Sequence, residues 1–332
     1  MNILAFGDNL ITVDMLEDGL TALAEEGHDV TVRHWVHDSV ESLQNDNLLI
    51  EQKGANAVQV PNSLVDDIDR FDVIITQFTP IGKKLIDKAS HLKYIGVLRG
   101  GIENIDKEYA EKRGIKVINT PGRNARAVAE FTVGMMLSET RNIARTYAAM
   151  KKGIWLKDFP NKSNIPEIGG KTIGIAGFGH IGKLVAKFLK SFDAKIIFYD
   201  KYVNDNMGYT RVDSLGRLMQ AADIVTIHMR LTNETHHIIN GENLTLMKPT
   251  AYLINTARSG LIDEKALLDV LKNKRIMGAA IDTFDEEPLP VNSPFLELDN
   301  VTVTSHLAGS TADAFKNTPK LFSKLLLKEL KN

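Results

Sequence analysis

The chain has no cysteine, and that absence removes disulfide frameworks, thiolate nucleophiles and zinc–sulfur centres together. It has no excess of either charge: 40 basic side chains stand against 42 acidic ones, a formal net charge of −2. Such a balance speaks against a nucleic-acid or membrane-surface partner. No uncharged run approaches the ~18 apolar residues of a membrane span. Low-complexity tracts and solenoid-period repeats are missing too. The pairs His34/His37 and His236/His237 lack the carboxylate or cysteine company of a metal site, so no metal is expected. What the 332 residues do hold is material for folded cores, 43% apolar and 25% charged, at a length that favours two domains. Met1–Gly7 runs into a strand pattern without the basic and apolar regions of a secretion signal, and a cytoplasmic location is expected.

Short β-rich apolar runs alternate with polar turns and helical stretches, the signature of parallel α/β architecture. The early runs Ile3–Phe6, Val30–Val32, Val58–Val60, Val73–Thr76 and Tyr94–Val97 predict one sheet, with helices such as Met15–Glu26 and Ile81–Ala89 between them. Thr172–Ala176, Lys195–Tyr199, Ile224–Ile227, Ala251–Ile254, Ile276–Ile281 and Val301–Thr304 predict a second. Asp213 or Ser214, and Asp263, are expected to cap helices of that second set. Between the sheets the pattern predicts one long helix over Asn124–Met150, apolar nearly all round its middle. It is expected to lie between the domains or against a second subunit.

The run Thr172–Ala176 ends in Gly177-Phe178-Gly179-His180-Ile181-Gly182 and a helical pattern follows, with Asp200 closing the next strand. Strand, glycine loop, helix and an acidic residue ~20 positions on make a dinucleotide site. Gly177 permits the tight turn, Gly179 the approach of a pyrophosphate, and Gly182 the packing of helix on strand, while the helix N-terminus faces the phosphates. Asp200 accepts hydrogen bonds from a ribose and repels a 2′-phosphate, which favours NAD over NADP; Lys195 and Lys201 soften that preference.

Ligands of parallel sheets bind beyond the carboxyl ends of the strands. The polar residues there, beside the glycine loop and Asp200, are His228, Thr256 to Arg258 with Ala257 between, Asp282 and His306. A guanidinium at Arg258 can grip a carboxylate bidentately. His306 can serve as acid or base, and Glu287 in Asp285-Glu286-Glu287-Pro288 can orient its imidazole. Tyr147 and Lys151 form a Tyr-x-x-x-Lys pair, which short-chain dehydrogenases use, but it precedes the glycine loop and reads as ordinary helical spacing.

These segments resemble the D-isomer-specific 2-hydroxyacid dehydrogenases over nearly the whole chain. The glycine loop is similar to that family's dinucleotide motif, Asn255-Thr256-Ala257-Arg258 to its substrate-arginine signature, Ala280–Pro288 to its glutamate segment and Ser305–Gly309 to its histidine segment. Asn119–Gly122 and Asn124 with Ala127–Glu130 match its interdomain stretch. The resemblance implies a Rossmann NAD-binding domain (104–306) inserted into a flavodoxin-like substrate domain (1–103 and 307–332), and a homodimer built through the Asn124–Met150 helix. It further implies that Arg258 binds the carboxylate of a small 2-hydroxy or 2-keto acid, that His306 moves the proton with Glu287 steadying it, that Asp282 holds the nicotinamide carboxamide, and that backbone amides around Gly100 and Gly101 meet the carboxylate. Phosphoglycerate- and glycerate-type substrates lie within the same resemblance.

Four positions depart from the pattern: Ser259 for Gly, Thr283 for Val, Arg230 for Pro and Arg99 for Gly. Arg99 is the informative one. A long cation beside Gly100 and Gly101 is expected to recognise a second anionic group on the substrate, with help from Gln77 or Arg123; the alternative is that it pairs with Glu103 or points to solvent. From another functional class, the rival reading is a non-catalytic NAD-sensing regulator of the same fold. A formate-oxidising relative is disfavoured, because its pattern has Gln where Glu287 stands.

Overall fold

The computed structural model describes residues 1–203 and 205–331. The chain divides into two compact units, Met1–Arg123 joined by the segment from Thr311 onward, and Asn124–Ser310. Each is built on its own parallel sheet with helices on its faces. Among the described residues no helix is long and apolar enough to cross a membrane.

The first unit runs β1 (Asn2–Gly7), α1 (Val13–Glu25), β2 (Asp29–His34), α2 (Val40–Lys53), β3 (Val73–Thr76), α3 (Lys83–Lys88), β4 (Tyr94–Val97), α4 (Lys107–Lys112) and β5 (Lys116–Asn119). The strand order is β2-β1-β3-β4-β5, all parallel. Ile3, Leu4, Ala5 and Phe6 are all buried, as a strand covered on both faces requires. Val58–Val60 forms no strand: it lies between Gly54, whose φ of 84° ends α2, and Pro61, which cannot donate to a ladder. The place on the sheet goes instead to β5, whose two apolar residues gave little pattern to see. Tyr94 pairs with Lys116 and Val97 with Asn119, so residues 104–123 belong to the first unit. The expected boundary at 103/104 therefore moves to 123/124.

The second unit comprises α5 (Ala125–Thr140), α6 (Ile143–Lys151), β6 (Thr172–Ala176), α7 (His180–Lys190), β7 (Lys195–Tyr199), β8 (Thr210–Arg211), α8 (Leu215–Ala221), β9 (Ile224–Ile227), α9 (Gly241–Thr245), β10 (Tyr252–Asn255), α10 (Glu264–Lys272), β11 (Gly278–Ile281) and β12 (Val301–Val303). Its order, β12-β11-β10-β9-β6-β7-β8, reverses direction between β6 and β9, the switch point at which doubly wound sheets take nucleotides. Asp263 caps α10 through the N–H groups of Lys265 and Ala266; Ser214, not Asp213, caps α8.

The long helix expected over Asn124–Met150 is two helices. The chain breaks at Asn142, which takes a left-handed φ of 57° and whose amide donates to Asn161 at 2.8 Å. The apolar residues of α5 are buried in their own unit: Ala129, Val133, Met135 and Met136 pack with Ile173, Val185 and Ile254. The exposed apolar side chains lie further on, at Ile143, Tyr147 and Met150 of α6 and at Ile154 and Trp155.

After β12 the chain returns to the first unit as α11 (Ala312–Leu330). α11 lies close against α1: a Cβ on Gly19 would meet the Pro319 side chain at 2.4 Å, and Ser323 Oγ donates to the Gly19 carbonyl at 2.9 Å. Phe322, fully buried, fills the space left by the missing side chain of Gly96 on β4.

One charged pair stands inside the second unit. Glu139 of α5, 1% exposed, holds Arg145 of α6 through both carboxylate oxygens at 2.7 and 2.8 Å and accepts from Thr302 of β12 at 2.7 Å. Burial pushes its carboxyl above the ordinary range against the pull of Arg145. Removing one member strands the other charge in the interior, at a cost of about 3–5 kcal/mol. Glu139→Ala is accordingly expected to lower the urea-unfolding free energy by about that amount. A loss below about 1 kcal/mol would show the pair to be dispensable.

Candidate functional site

The glycine loop closes the switch point of the second sheet. Gly177 has φ +96°, and a Cβ there would strike the backbone of His228 at 2.6 Å, so the loop passes flat against the end of β9. A Cβ on Gly182 would meet the Gly177 carbonyl at 2.2 Å, which lets α7 start directly under the turn. Gly179 has nothing within 4 Å of its missing side chain, and it caps α7 without a side-chain hydrogen bond. The first amides of α7, from His180, Ile181 and Gly182, thus face open space with the positive end of the helix dipole. That cradle fits a pyrophosphate.

Phe178 contributes its backbone alone. Its ring is fully buried and stacks on Phe198 at 3.9 Å, while its N–H donates to Asp200 Oδ2 at 2.7 Å. Asp200 also accepts from the N–H groups of Tyr202 and Val203, at 2.8 and 3.0 Å, so it ties the loop to the end of β7. Lys201 is drawn off to Glu234 at 3.1 Å. His228 accompanies the loop with Nε2 on Thr226 at 3.0 Å and Nδ1 buried without a partner. Burial pushes its pKa down to about 3, which keeps the imidazole neutral at physiological pH. An orphaned buried nitrogen beside the cradle is the second observation that fits a bound nucleotide.

The structure brings His306, Glu287 and Asp282 together. His306 Nδ1 lies 2.8 Å from Glu287 Oε2, and Glu287 Oε1 is fixed by the N–H of Phe284 at 2.9 Å. His306 itself sits at φ +54°, a conformation costly for a residue with a side chain. Asp282 explains how it is held. Fully buried, it accepts from Thr304 Oγ1 at 2.6 Å and the Leu307 N–H at 2.9 Å through Oδ1, and from the Ala308 N–H at 3.0 Å through Oδ2. These bonds also keep residues 307–310 in the second unit, against the expected boundary at 306/307.

Arg258 follows β10 on a loop shaped by Asn255, whose side chain accepts from the Ala257 N–H and donates to the Arg258 carbonyl, both at 3.0 Å. Thr256 is buried against Thr132 of α5 at 2.7 Å. The Arg258 guanidinium is exposed, bonds only the Ala257 carbonyl at 2.7 Å, and has no carboxylate partner among the described residues. It is a cation free to take an anion.

In the first unit, Gly100 and Gly101 follow β4; Gly100 is exposed with open space at its missing side chain, and a Cβ on Gly101 would strike the Glu103 carboxylate at 2.2 Å. Arg99 is not free. Its guanidinium meets Asn47 and Glu51, both at 2.6 Å, and Glu103 at 3.4 Å, and lies over the Phe78 ring at 5.1 Å. The anion-binding role expected for it gives way to the alternative pairing with Glu103, joined by two partners on α2 that no local pattern could reveal.

Two further contributors had no motif to mark them. Thr304, at the end of β12, gives Asp282 its hydroxyl. Glu264, at the start of α10, accepts from the Asp285 N–H at 2.8 Å and so steadies the segment that carries Glu287. Only its place in the first turn of a helix set it apart in the sequence.

Comparison with known proteins identifies the family. Residues 133–308 match the family model described as D-isomer specific 2-hydroxyacid dehydrogenase, NAD binding domain. A glyoxylate reductase of Thermofilum pendens is 44% identical over 259 residues, 76% of each chain. A D-3-phosphoglycerate dehydrogenase of Methanocaldococcus jannaschii is 42% identical over 81% of this chain, which spans 51% of that protein's length. Among solved structures, a D-2-hydroxyisocaproate dehydrogenase is similar with a TM-score of 0.75 and 27% identity, covering 99% of this chain and 97% of the other. The chain belongs to the D-isomer specific 2-hydroxyacid dehydrogenases and is an NAD-dependent oxidoreductase that moves a hydride between the cofactor and a 2-hydroxy or 2-keto acid.

Proposed function

We propose that His306 is the proton donor and acceptor of this reaction, that Glu287 orients it, and that Arg258 grips the substrate carboxylate. The observation that carries the reading is the 2.8 Å bond between His306 Nδ1 and a Glu287 carboxylate itself anchored by a backbone amide. With Nδ1–H given to Glu287, Nε2 is left to the solvent side. There it takes the proton of a hydroxyl during oxidation and returns one to a keto oxygen during reduction. Held at the glycine loop, the cofactor would supply the hydride for C2. Arg258 offers paired donors to the carboxylate and so fixes which face of the acid is presented.

The amides of α7 and the loop Gly177–Gly182 are assigned to the pyrophosphate, Asp200 to the ribose hydroxyls, and His228, Thr256 and Ala257 to the surroundings of the cofactor. Asp282 is assigned to the turn bearing His306 rather than to the nicotinamide carboxamide, because its carboxylate is fully buried and already accepts three hydrogen bonds. Relatives named glyoxylate reductase, hydroxypyruvate reductase and D-3-phosphoglycerate dehydrogenase support a short 2-keto acid as the substrate class. A cytoplasmic location suits a cysteine-free enzyme of this type.

Consumption of NADH with a panel of short 2-keto acids separates turnover from cofactor sensing. His306→Ala is expected to lower kcat by about 10²–10⁴ while NADH binding stays within about twofold. Loss of NADH affinity with kcat intact would reverse the assignment. At Arg258, Lys keeps the charge and loses the fork, whereas Ala loses both. Stopped assays are expected to rank kcat/KM as wild type, then Arg258→Lys, then Arg258→Ala; equal values for the two variants would count against bidentate binding.

We further propose a homodimer, carried by α6 rather than by the buried α5. Ile143, Tyr147 and Met150 recur at helical spacing on one exposed side of α6, and exposed Ile154 and Trp155, the latter 74% exposed, follow just beyond its end. Light scattering at micromolar concentration is expected to give the mass of two chains, and Tyr147→Glu with Trp155→Glu that of one. A wild-type monomer would remove this proposal.

A further inference from the structure

Arg123 follows β5, at the carboxyl edge of the first sheet, where β1, β3 and β4 also end. Its Nη1 is buried without a hydrogen-bond partner, and among the described residues no carboxylate lies within ion-pair distance of the guanidinium. The group rests on the face of the Phe315 ring, 5.0 Å from its centre, at the start of α11. Arg99 reaches it as a second cation, and its pKa is pushed down to about 10 by burial and by that neighbour. Asp8 is the carboxylate whose field opposes this, but Asp8 Oδ1 is taken up by the N–H groups of Leu10 and Ile11 at 2.8 and 2.9 Å. A half-buried guanidinium with one nitrogen cut off from water has lost part of its hydration without gaining a counter-ion, an arrangement that favours the arrival of an anion.

A separate observation marks the same edge. Gln77, immediately after β3, is fully buried with both Oε1 and Nε2 unpartnered. In β3, Ile75 packs on the side occupied by Leu16 of α1 and Phe322 of α11. Gln77 stands one residue past the end of β3, at the same carboxyl edge at which Arg123 follows β5. One edge of one sheet therefore holds a cation and an amide, both stripped of partners, next to the exposed Gly100.

We infer that the carboxyl edge of the first sheet is an oxyanion site, in which Arg123 with Gln77 binds a carboxylate or phosphate carried by a small acid. Arg99 frames the site and does not bind, since Glu51, Glu103 and Asn47 occupy it. The site stands on the first unit alone; only the kinetic arm of its test rests on the proposed function, with the small acid as a substrate that carries a second anionic group.

The test has two arms on the full-length protein. In the first, inorganic phosphate at millimolar concentration is expected to raise the thermal midpoint of the wild type and of Arg99→Ala, but not of Arg123→Ala or Arg123→Gln; Arg123→Lys restores part of the rise. In the second, kcat/KM is compared for glyoxylate, oxaloacetate and 3-phosphohydroxypyruvate. Arg123→Ala is expected to lose at least about tenfold on the two substrates with a second acid and less than about threefold on glyoxylate. A selective loss on oxaloacetate alone, or on the phosphorylated acid alone, tells which group the site takes. A lost thermal response with equal kinetic losses places a free anion there, and still supports the site. No thermal response in the wild type together with equal losses on all three substrates overturns it. Because the thermal arm needs no turnover, an enzyme inactive on every 2-keto acid refutes the proposed reaction without touching the site.

Discussion

A buried carboxylate organises the chemistry of the second unit. Asp282 has no solvent to share its charge, so its two oxygens must be satisfied from within, and the groups that satisfy them are the hydroxyl of Thr304 and the amides of Leu307 and Ala308. Those partners bracket His306. The strained backbone of that residue is thereby held from both sides, and its ring has little choice but to present Nδ1 to Glu287. Glu287 is fixed in turn by the amide of Phe284, and its segment by Glu264. The proposed acid–base pair is exposed at the surface of the unit, while the charge that positions it is fully buried. The position of that imidazole is thus fixed from below, by a side chain that solvent cannot relax.

The cofactor cradle follows the same logic with backbone in place of side chains. Gly177 and Gly182 are glycines because the Cβ positions are already filled, by the His228 backbone and by the Gly177 carbonyl. Gly179 is different: nothing fills its space. Two closed glycines and one open one outline the proposed cradle more clearly than the three-glycine pattern alone.

Much of this was legible in the sequence because it rests on local chemistry. The glycine loop, Asp200, Arg258, Glu287 and His306 each follow a strand in a pattern that physical rules anticipate, and the nucleotide-binding sheet came out nearly strand for strand. What stayed hidden depends on distant partners. Arg99 looked like a substrate cation because nothing nearby in the sequence announces Glu51 and Asn47 on α2, some fifty positions earlier. Asn119 and its three predecessors showed too few apolar residues to reveal β5, and with it the true edge of the first unit. The break at Asn142 was masked by helix-forming neighbours on both sides; only the buried amide bond to Asn161 makes it a fixed turn. The unpartnered state of Arg123 and Gln77 is visible only when the whole surrounding is known.

The return of α11 to the first unit sets an order of events during biosynthesis. Phe322 fills a space on β4 that is made more than two hundred residues earlier, so the first unit emerges from the ribosome with its core open. The second unit, continuous from Asn124 to Ser310, has every strand of its sheet in hand before α11 is translated. The part that holds the nucleotide can therefore be finished while the part that begins the chain is still waiting for its last helix, the reverse of the usual N-terminal-first sequence. During that interval α1 has the strands of its own sheet to pack on, but not the Pro319 and Ser323 contacts that α11 makes at Gly19.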